Sequence, residues 1–353
     1  MMEYNEIDKF INSRIYRLLH PELKNNRNFI SHGLKDYDEI FKYASQELQN
    51  DRDFVLDNIK QGDHILIFLS NKFKNDKEIV REAVIQDYKQ FIYASKNLRT
   101  DKQFILKLID IDANILKVIP KKFWDNKEII LKAVTKQGHL LKYASKVLKN
   151  DKDIVLEAVK ENGYALEYAS LDIQNNKEVV LEAVKENGHA LKHASKDIKN
   201  NKNVILEALK TNGLAITYLP TKLRMDKDIS NTALLQIYSS KDYLNHGYSF
   251  ISNNLTFCMI TEQQEIDFFA NEELMEQLKK NLKINAARLI YGYSFEKGNN
   301  EDILRSAHQI QKTIKSRLAE IEKEQNKYTR LKQIRDSNIK PELLKIENQI
   351  MEL

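Results

Sequence analysis

The chain has 353 residues, enough for two or three ordinary domains or one extended array. Hydrophobic residues make up 42% and charged residues 30%, which excludes both a membrane-embedded chain and a disordered one. The 56 Lys and Arg nearly balance the 51 Asp and Glu, leaving a net charge of +5 that gives bulk nucleic-acid binding little support.

Nine Gly and four Pro are too few for a sandwich or barrel of this size, so the composition points to helices. At the N-terminus, MMEYNEIDKF is acidic and broken by charges, unlike a secretory signal. Residues 1–25 read as an N-terminal helical cap, with Ile15, Tyr16, Leu18, Leu19 and Leu23 in partial repeat register.

From residue 26 the chain repeats itself. DIVLEAVKENG at 153–163 returns as EVVLEAVKENG at 178–188, an offset of 25. The same offset carries Asp51, Asp76, Asp101, Asn126, Asp151, Asn176, Asn201 and Asp226. It also carries Tyr43, Phe68, Tyr93, Val118, Tyr143, Tyr168, His193 and Tyr218. No insertion interrupts 51–225; a degenerate unit precedes it at 26–50, and a partial one follows from Asp226 and dissolves near Leu244.

Each unit reads as two short helices. In 176–200 the spacing predicts Asn175 as N-cap with Glu178 completing a capping box. Asn75–Glu78, Asp125–Glu128 and Asn150–Asp153 repeat that spacing. Val180, Ala183, Val184 and Asn187 follow on one helical face. Gly188 is then expected as a left-handed C-cap, as are Gly138, Gly163 and Gly213. A second helix is predicted over 189–194, with Ala190, Leu191 and Ala194 inward. It stops at Ser195, where Pro120 and Pro220 stand in two other units. Helices this short do not persist alone in water, so the units must stack into a solenoid with modified ends.

The residues that carry the pattern, [ND]-[KR]-[DE]-[VFI]-[VI]-L-x-A-V-x-x-N-G followed by x-A-L-x-Y-A-S, resemble the repeats of domain of unknown function 4116. The resemblance covers roughly 26–229. It is most specific in 151–213 and weaker in 26–125, where the glycine becomes Asp63, Tyr88 or Ala113. It implies helical repeats. Its members are typical of bacteria living inside amoebae and of large viruses, which implies export into a host cell. It brings no catalytic residues.

Beyond the repeats, 230–300 reads as a C-terminal helical cap region, with Gly247, Gly292 and Gly298 at turns. From 301 to 353 a long amphipathic helix is predicted. Ala307, Ile314, Ile321 and Tyr328 form its heptad stripe, with Arg317 and Glu324 in the same seam. The helix is expected to end before Pro341, leaving a short terminal helix.

Several patterns are candidates for chemistry. Every unit carries a base at its second position, from Arg27 and Arg52 through Lys77, Lys102, Lys127, Lys152, Lys177, Lys202 and Lys227. A cation there opposes the helix dipole, so it is read as a charge ladder between units or as a phosphate-binding edge. Lys117, Lys121 and Lys122 surround the only tryptophan, Trp124, within the basic units 101–150. That is either a nucleic-acid or membrane patch or a solvated face over the core edge. Tyr93, Tyr143, Tyr168, His193 and Tyr218 are either core or a partner surface. His189 and His193 have metal spacing, but no third ligand is evident. Cys258, near His246, reads as a buried structural thiol and not as a nucleophile.

The sequence therefore predicts an all-α solenoid of 25-residue two-helix repeats acting as a non-enzymatic protein-interaction scaffold. The expected partner is a protein, of the host if the chain is exported, met by Tyr93, Tyr143, Tyr168, His193, Tyr218, Lys117, Lys121, Lys122 and Trp124. No catalytic, cofactor or metal residues are assigned. The alternative is binding of nucleic acid or an anionic ligand through 101–150, and an enzyme in 230–300 is the third class. Self-association through 301–340 is expected. The location is expected to be cytoplasmic, or in the cytosol of a host cell after export, with no membrane span.

Overall fold

A computed structural model describes residues 21–240, 262–296 and 300–351. Ile15, Tyr16, Leu18, Leu19, His246, Gly247, Cys258 and the point near Leu244 where the repeats fade lie outside the described residues. Among the described residues every element is helical and no strand occurs. The chain divides into two compact units, Met1–Glu161 and Asn162–Leu353.

In both units a repeat has three elements, not two. The first is an α-helix, such as Lys77–Gln86 or Lys177–Glu186. The second is a 3₁₀ helix, such as Tyr88–Tyr93 or Gly188–His193. The third is a single short turn of helix, such as Lys96–Thr100 or Ile198–Asn200.

The α-helix is written by its apolar stripe. Val179, Val180, Ala183 and Val184 have no exposed surface, and neither do Ile154, Val155, Ala158 and Val159. Asn176, and not Asn175, is the N-cap; its side chain accepts from the N–H groups of Glu178 and Val179. Asp76 and Asp151 likewise accept two N–H groups, and Asn126 accepts that of Ile129, one residue later than the spacing suggested. Asn175 instead ends the previous turn of helix and accepts the Ser195 hydroxyl at 2.6 Å.

The second element is a short 3₁₀ helix of four to six residues. Asn187 starts it by accepting the His189 N–H, and Ala190 N donates back to Asn187 O at 2.9 Å. Residues three apart eclipse in such a helix, so the aromatic series lies beneath Ile40, Gln90, Leu140, Ala190 and their counterparts.

The predicted left-handed glycine caps are a correction. Among the described glycines the only positive φ belongs to Gly62, at 104°. Gly138, Gly163, Gly188 and Gly213 open the 3₁₀ helices and let repeats approach closely. A Cβ at each would fall under 3.0 Å from the carbonyl oxygen of Ala158, Ala183, Ala208 or Ala233 in the next repeat.

Two further bonds tie successive repeats. The backbone N–H groups of Ser45, Ser95, Ser145 and Ser195 donate to Lys24, Lys74, Trp124 and Gln174 at 2.7–3.0 Å. Their hydroxyls donate to Asn25, Asn75, Asp125 and Asn175. These serines stand fifty residues apart; Pro120 and Pro220, which have no N–H to give, fall in the alternate repeats.

In the second unit the array ends on Lys227–Ser239, which is covered by Glu262–Phe269 and Glu272–Glu296, and the long helix Asn300–Met351 packs on those two. Tyr238 packs edge-on to Phe269 at 5.0 Å, and Phe269 stacks on Tyr328 at 5.2 Å. Asn285 ties this cover to the Ser239 carbonyl at 2.8 Å. Two residues of the heptad stripe, Ile321 and Tyr328, are thus buried inside the unit. The long helix also runs through Pro341 where an end was expected. Proline withholds one donor and crowds the preceding turn, but its fixed φ is helical, so the cost stays local.

Candidate interaction surface

The 3₁₀ helices lie side by side in each unit, Asp38–Tyr43 through Gly138–Tyr143 in the first and Gly163–Tyr168 through Gly213–Tyr218 in the second. Tyr93 and Tyr143 on the first unit's row, and Tyr168, His193 and Tyr218 on the second's, are all half-buried. They are therefore neither core nor free, as the eclipsed winding dictates.

The rings bond along the row. In the second unit Tyr164 stacks on His189 with centroids 6.3 Å apart, and His189 meets Tyr218 edge-on at 5.9 Å. The Nδ1 of His189 lies 2.9 Å from the Tyr218 hydroxyl. Burial pushes the His189 imidazole below its usual pKa and the Tyr218 phenol above its own. In the first unit Lys42 sits over Phe68 at 4.6 Å and Lys117 over Tyr88 at 5.6 Å.

His189 and His193 do not converge. On a 3₁₀ helix, positions four apart are turned by about 120° and separated by about 8 Å of rise. No group of three or more potential metal ligands occurs among the described residues.

Trp124 is engaged by its own repeat and the next. Its Nε1 donates to the Leu116 carbonyl at 3.2 Å, its ring lies 5.5 Å from Tyr143, and Lys121 sits 5.6 Å above it. Lys122 lies over Phe123 at 4.9 Å. This indole belongs to a recurring device that the sequence reading missed. Gln49, Lys74, Arg99, Trp124, Gln174, Lys199 and Arg224 share one repeat position. Each donates an N–H to a carbonyl in or just after the 3₁₀ helix of its repeat. The signal was present as an unbroken run of nitrogen donors, hidden by its chemical variety. Trp124→Arg should therefore fold as stably as the parent, whereas Trp124→Leu should lose about 1 kcal/mol through the unmet carbonyl. Urea unfolding of both variants checks this; equal losses would remove the hydrogen bond's role.

Where the next repeat opens on an Asp N-cap, the base at position two forms an inter-repeat ladder. Arg52 reaches Asp76 at 2.8 Å and Glu78 at 2.5 Å, Lys77 reaches Asp101 at 2.8 Å, and Lys127 reaches Asp151 at 2.6 Å. Arg27 pairs with Asp51 in the same way, and Lys202 pairs with Asp226 and Asp228. The cation that opposes its own helix dipole thus neutralises the N-cap carboxylate of the next repeat. The Lys77 ammonium, then the Phe104 N–H, hold Asp101 below the ordinary carboxylate range.

Stacked α/3₁₀ repeats closed by a helical cover in the second unit define an α-solenoid repeat protein. The family profile described as Domain of unknown function (DUF4116) matches residues 26–74, 51–99, 76–124, 101–149, 126–174, 176–224 and 201–255. These matches cover more than half of the chain, so it belongs to that family. Each of the first six spans two repeats, the interval at which the Ser45-type bonds recur. No curated protein and no solved structure matches the chain. No helix among the described residues is long and apolar enough to cross a membrane.

Proposed function

We propose that the chain is a non-enzymatic scaffold that holds protein partners along the 3₁₀ row of each unit, through Tyr93 and Tyr143 in the first and Tyr168, His193 and Tyr218 in the second. The observation that carries this reading is their common half-burial. A ring locked on one side and open on the other is a low-entropy anchor of the kind that dominates protein interfaces. A photoreactive phenylalanine in place of Tyr143 or Tyr168 should give discrete protein adducts in extract, unchanged by nuclease. Adducts that vanish with nuclease would overturn the reading. Export into a host cell belongs to the same proposal and rests on the family's typical members. A reporter fused to the full chain should reach the host cytosol; retention in the producing cell would count against it.

The runner-up uses Lys117, Lys121, Lys122 and Trp124 to hold nucleic acid. It is weakened by the indole's engagement with Leu116 and Tyr143. Reversing Lys117, Lys121, Lys122 and Lys132 to Glu separates the two. The scaffold reading expects the protein adducts to persist. Loss of a tight, salt-steep affinity for nucleic acid would favour the runner-up.

A further inference from the structure

In the first unit four isoleucines, Ile67, Ile85, Ile92 and Ile111, are each 38–44% exposed. They fall in three successive repeats, at positions where the other repeats carry mainly Lys, Asp, Glu, Gln or Thr. Ile85 stands where Lys60, Asp110 and Thr135 stand, and Ile111 where Lys136 and Glu161 stand. An exposed isoleucine singly needs no explanation, but a cluster at charge-bearing positions marks a contact surface.

Repeat equivalence sets Ile85 and Ile111 at neighbouring positions of successive repeats. Lys136 approaches Asp110 at 4.0 Å, and the equivalent pair one repeat earlier is Ile111 against Ile85. Gly138 N–H bonds the Glu161 carboxylate, and the same two positions two repeats earlier are Tyr88 and Ile111. Lys132 bonds Asp110 at 2.7 Å, which places Lys107 against Ile85 by the same equivalence. Lys117 lies directly over the Tyr88 ring.

The charges around this apolar centre are one-sided. Asp87 and Asp112 are spent on the N–H groups of Lys89 and Asn114, and Asp110 is held by Lys132 and Lys136. Among the described residues no carboxylate pairs with Lys89, Lys107 or Lys117. An apolar centre with an uncompensated cationic rim complements a segment with apolar side chains on one face and carboxylates beside them.

We infer that the surface of Ile85, Tyr88 and Ile111, rimmed by Lys89, Lys107 and Lys117, docks an acidic amphipathic segment of a partner protein. The inference deepens the scaffold reading and rests on it.

The test uses the full chain and labelled synthetic peptides. The first is a helical peptide with Leu at i, i+3, i+4 and i+7 and Glu elsewhere. The second carries Lys for Glu, and the third carries Ser for Leu. The parent chain should bind the first at least about ten times more tightly than either control, a difference of about 1.4 kcal/mol. Ile85→Lys combined with Ile111→Glu should reduce that binding about tenfold or more. Both replacements are residues the array already carries at these positions, so the fold should persist, as circular dichroism will show. Leu171→Lys, at an exposed leucine of the other unit, should leave the binding unchanged. The inference falls if the acidic peptide does not bind, if the Lys peptide binds equally, or if the double variant binds like the parent. It also falls if anionic vesicles bind in its place and lose affinity in the double variant. Adducts at Tyr143 or Tyr168 that persist while the peptide fails would sink this inference and leave the scaffold reading standing.

Discussion

Gly188→Ala should destabilise the protein by about 3 kcal/mol or more, among the largest effects of any single methyl in the array. The added Cβ would meet the Ala208 carbonyl oxygen of the next repeat, with the Thr211 hydroxyl 2.8 Å away and Asn212 Cβ at 3.0 Å. The first of these is backbone and cannot rotate aside. The two repeats would have to separate, and in a stack each repeat draws its stability from its neighbours. Gly62→Ala is the informative comparison. Nothing lies within 4 Å of its added Cβ, so only the positive φ is strained, at a cost of about 1–3 kcal/mol. Urea unfolding should therefore rank Gly188→Ala above Gly62→Ala. If Gly188→Ala unfolds like the parent, the close approach of repeats at this carbonyl is wrong. Ala183→Trp should likewise overpack the helix contact at a fully buried position.

The stacking of repeats was legible because translation by 25 residues copies every contact between neighbours. A residue's partner is then fixed by an offset, and Lys77, Lys127 and Lys202 all find theirs 24 residues on. The winding of each short element was not legible. Gly188 follows an apparent helix end and so resembles a left-handed cap, but its duty is set by Ala208, twenty residues away. The N-cap slipped by one residue for a related reason: Asn175 and Asn176 are both good caps, and the Ser195 hydroxyl claims the first. The aromatic row could be located but not classified, since its half-burial follows from 3₁₀ eclipsing that periodicity at 3.6 residues does not reveal. The exposed isoleucines were visible only as hydrophobic residues. Their meaning depends on which positions of adjacent repeats touch, and Asp110 with Lys132 and Lys136 supplies that.

Asp63 should make the first unit more stable as the pH falls from about 7 towards 5. It occupies the position that Gly138 and its counterparts hold elsewhere, and it is 8% exposed. Burial, and then the neighbouring Asp38 carboxylate, push its pKa from 3.8 up to about 6. Lys35 and His64 act the other way. The folded state therefore binds a proton that the unfolded chain releases between these two values. The stability lost by ionising Asp63 is recovered as the pH drops through the folded value, and recovery is complete below the unfolded one. A shift of about two units corresponds to about 3 kcal/mol at most. The ladder carboxylates Asp51, Asp76, Asp101 and Asp151 work in the opposite sense. Their pKa values are lowered in the fold, so their contribution is present above the ordinary carboxylate range and is lost in stronger acid. Stability plotted against pH should therefore pass through a maximum near pH 5 and then fall. Asp63→Asn should raise stability at pH 7 by about 2–3 kcal/mol and flatten the profile between pH 7 and 5, while leaving the acid limb in place. Thermal unfolding across that range measures both changes. A parent profile that is flat from pH 7 to 5, or a variant no more stable than the parent at pH 7, would mean that Asp63 is solvated in the folded chain.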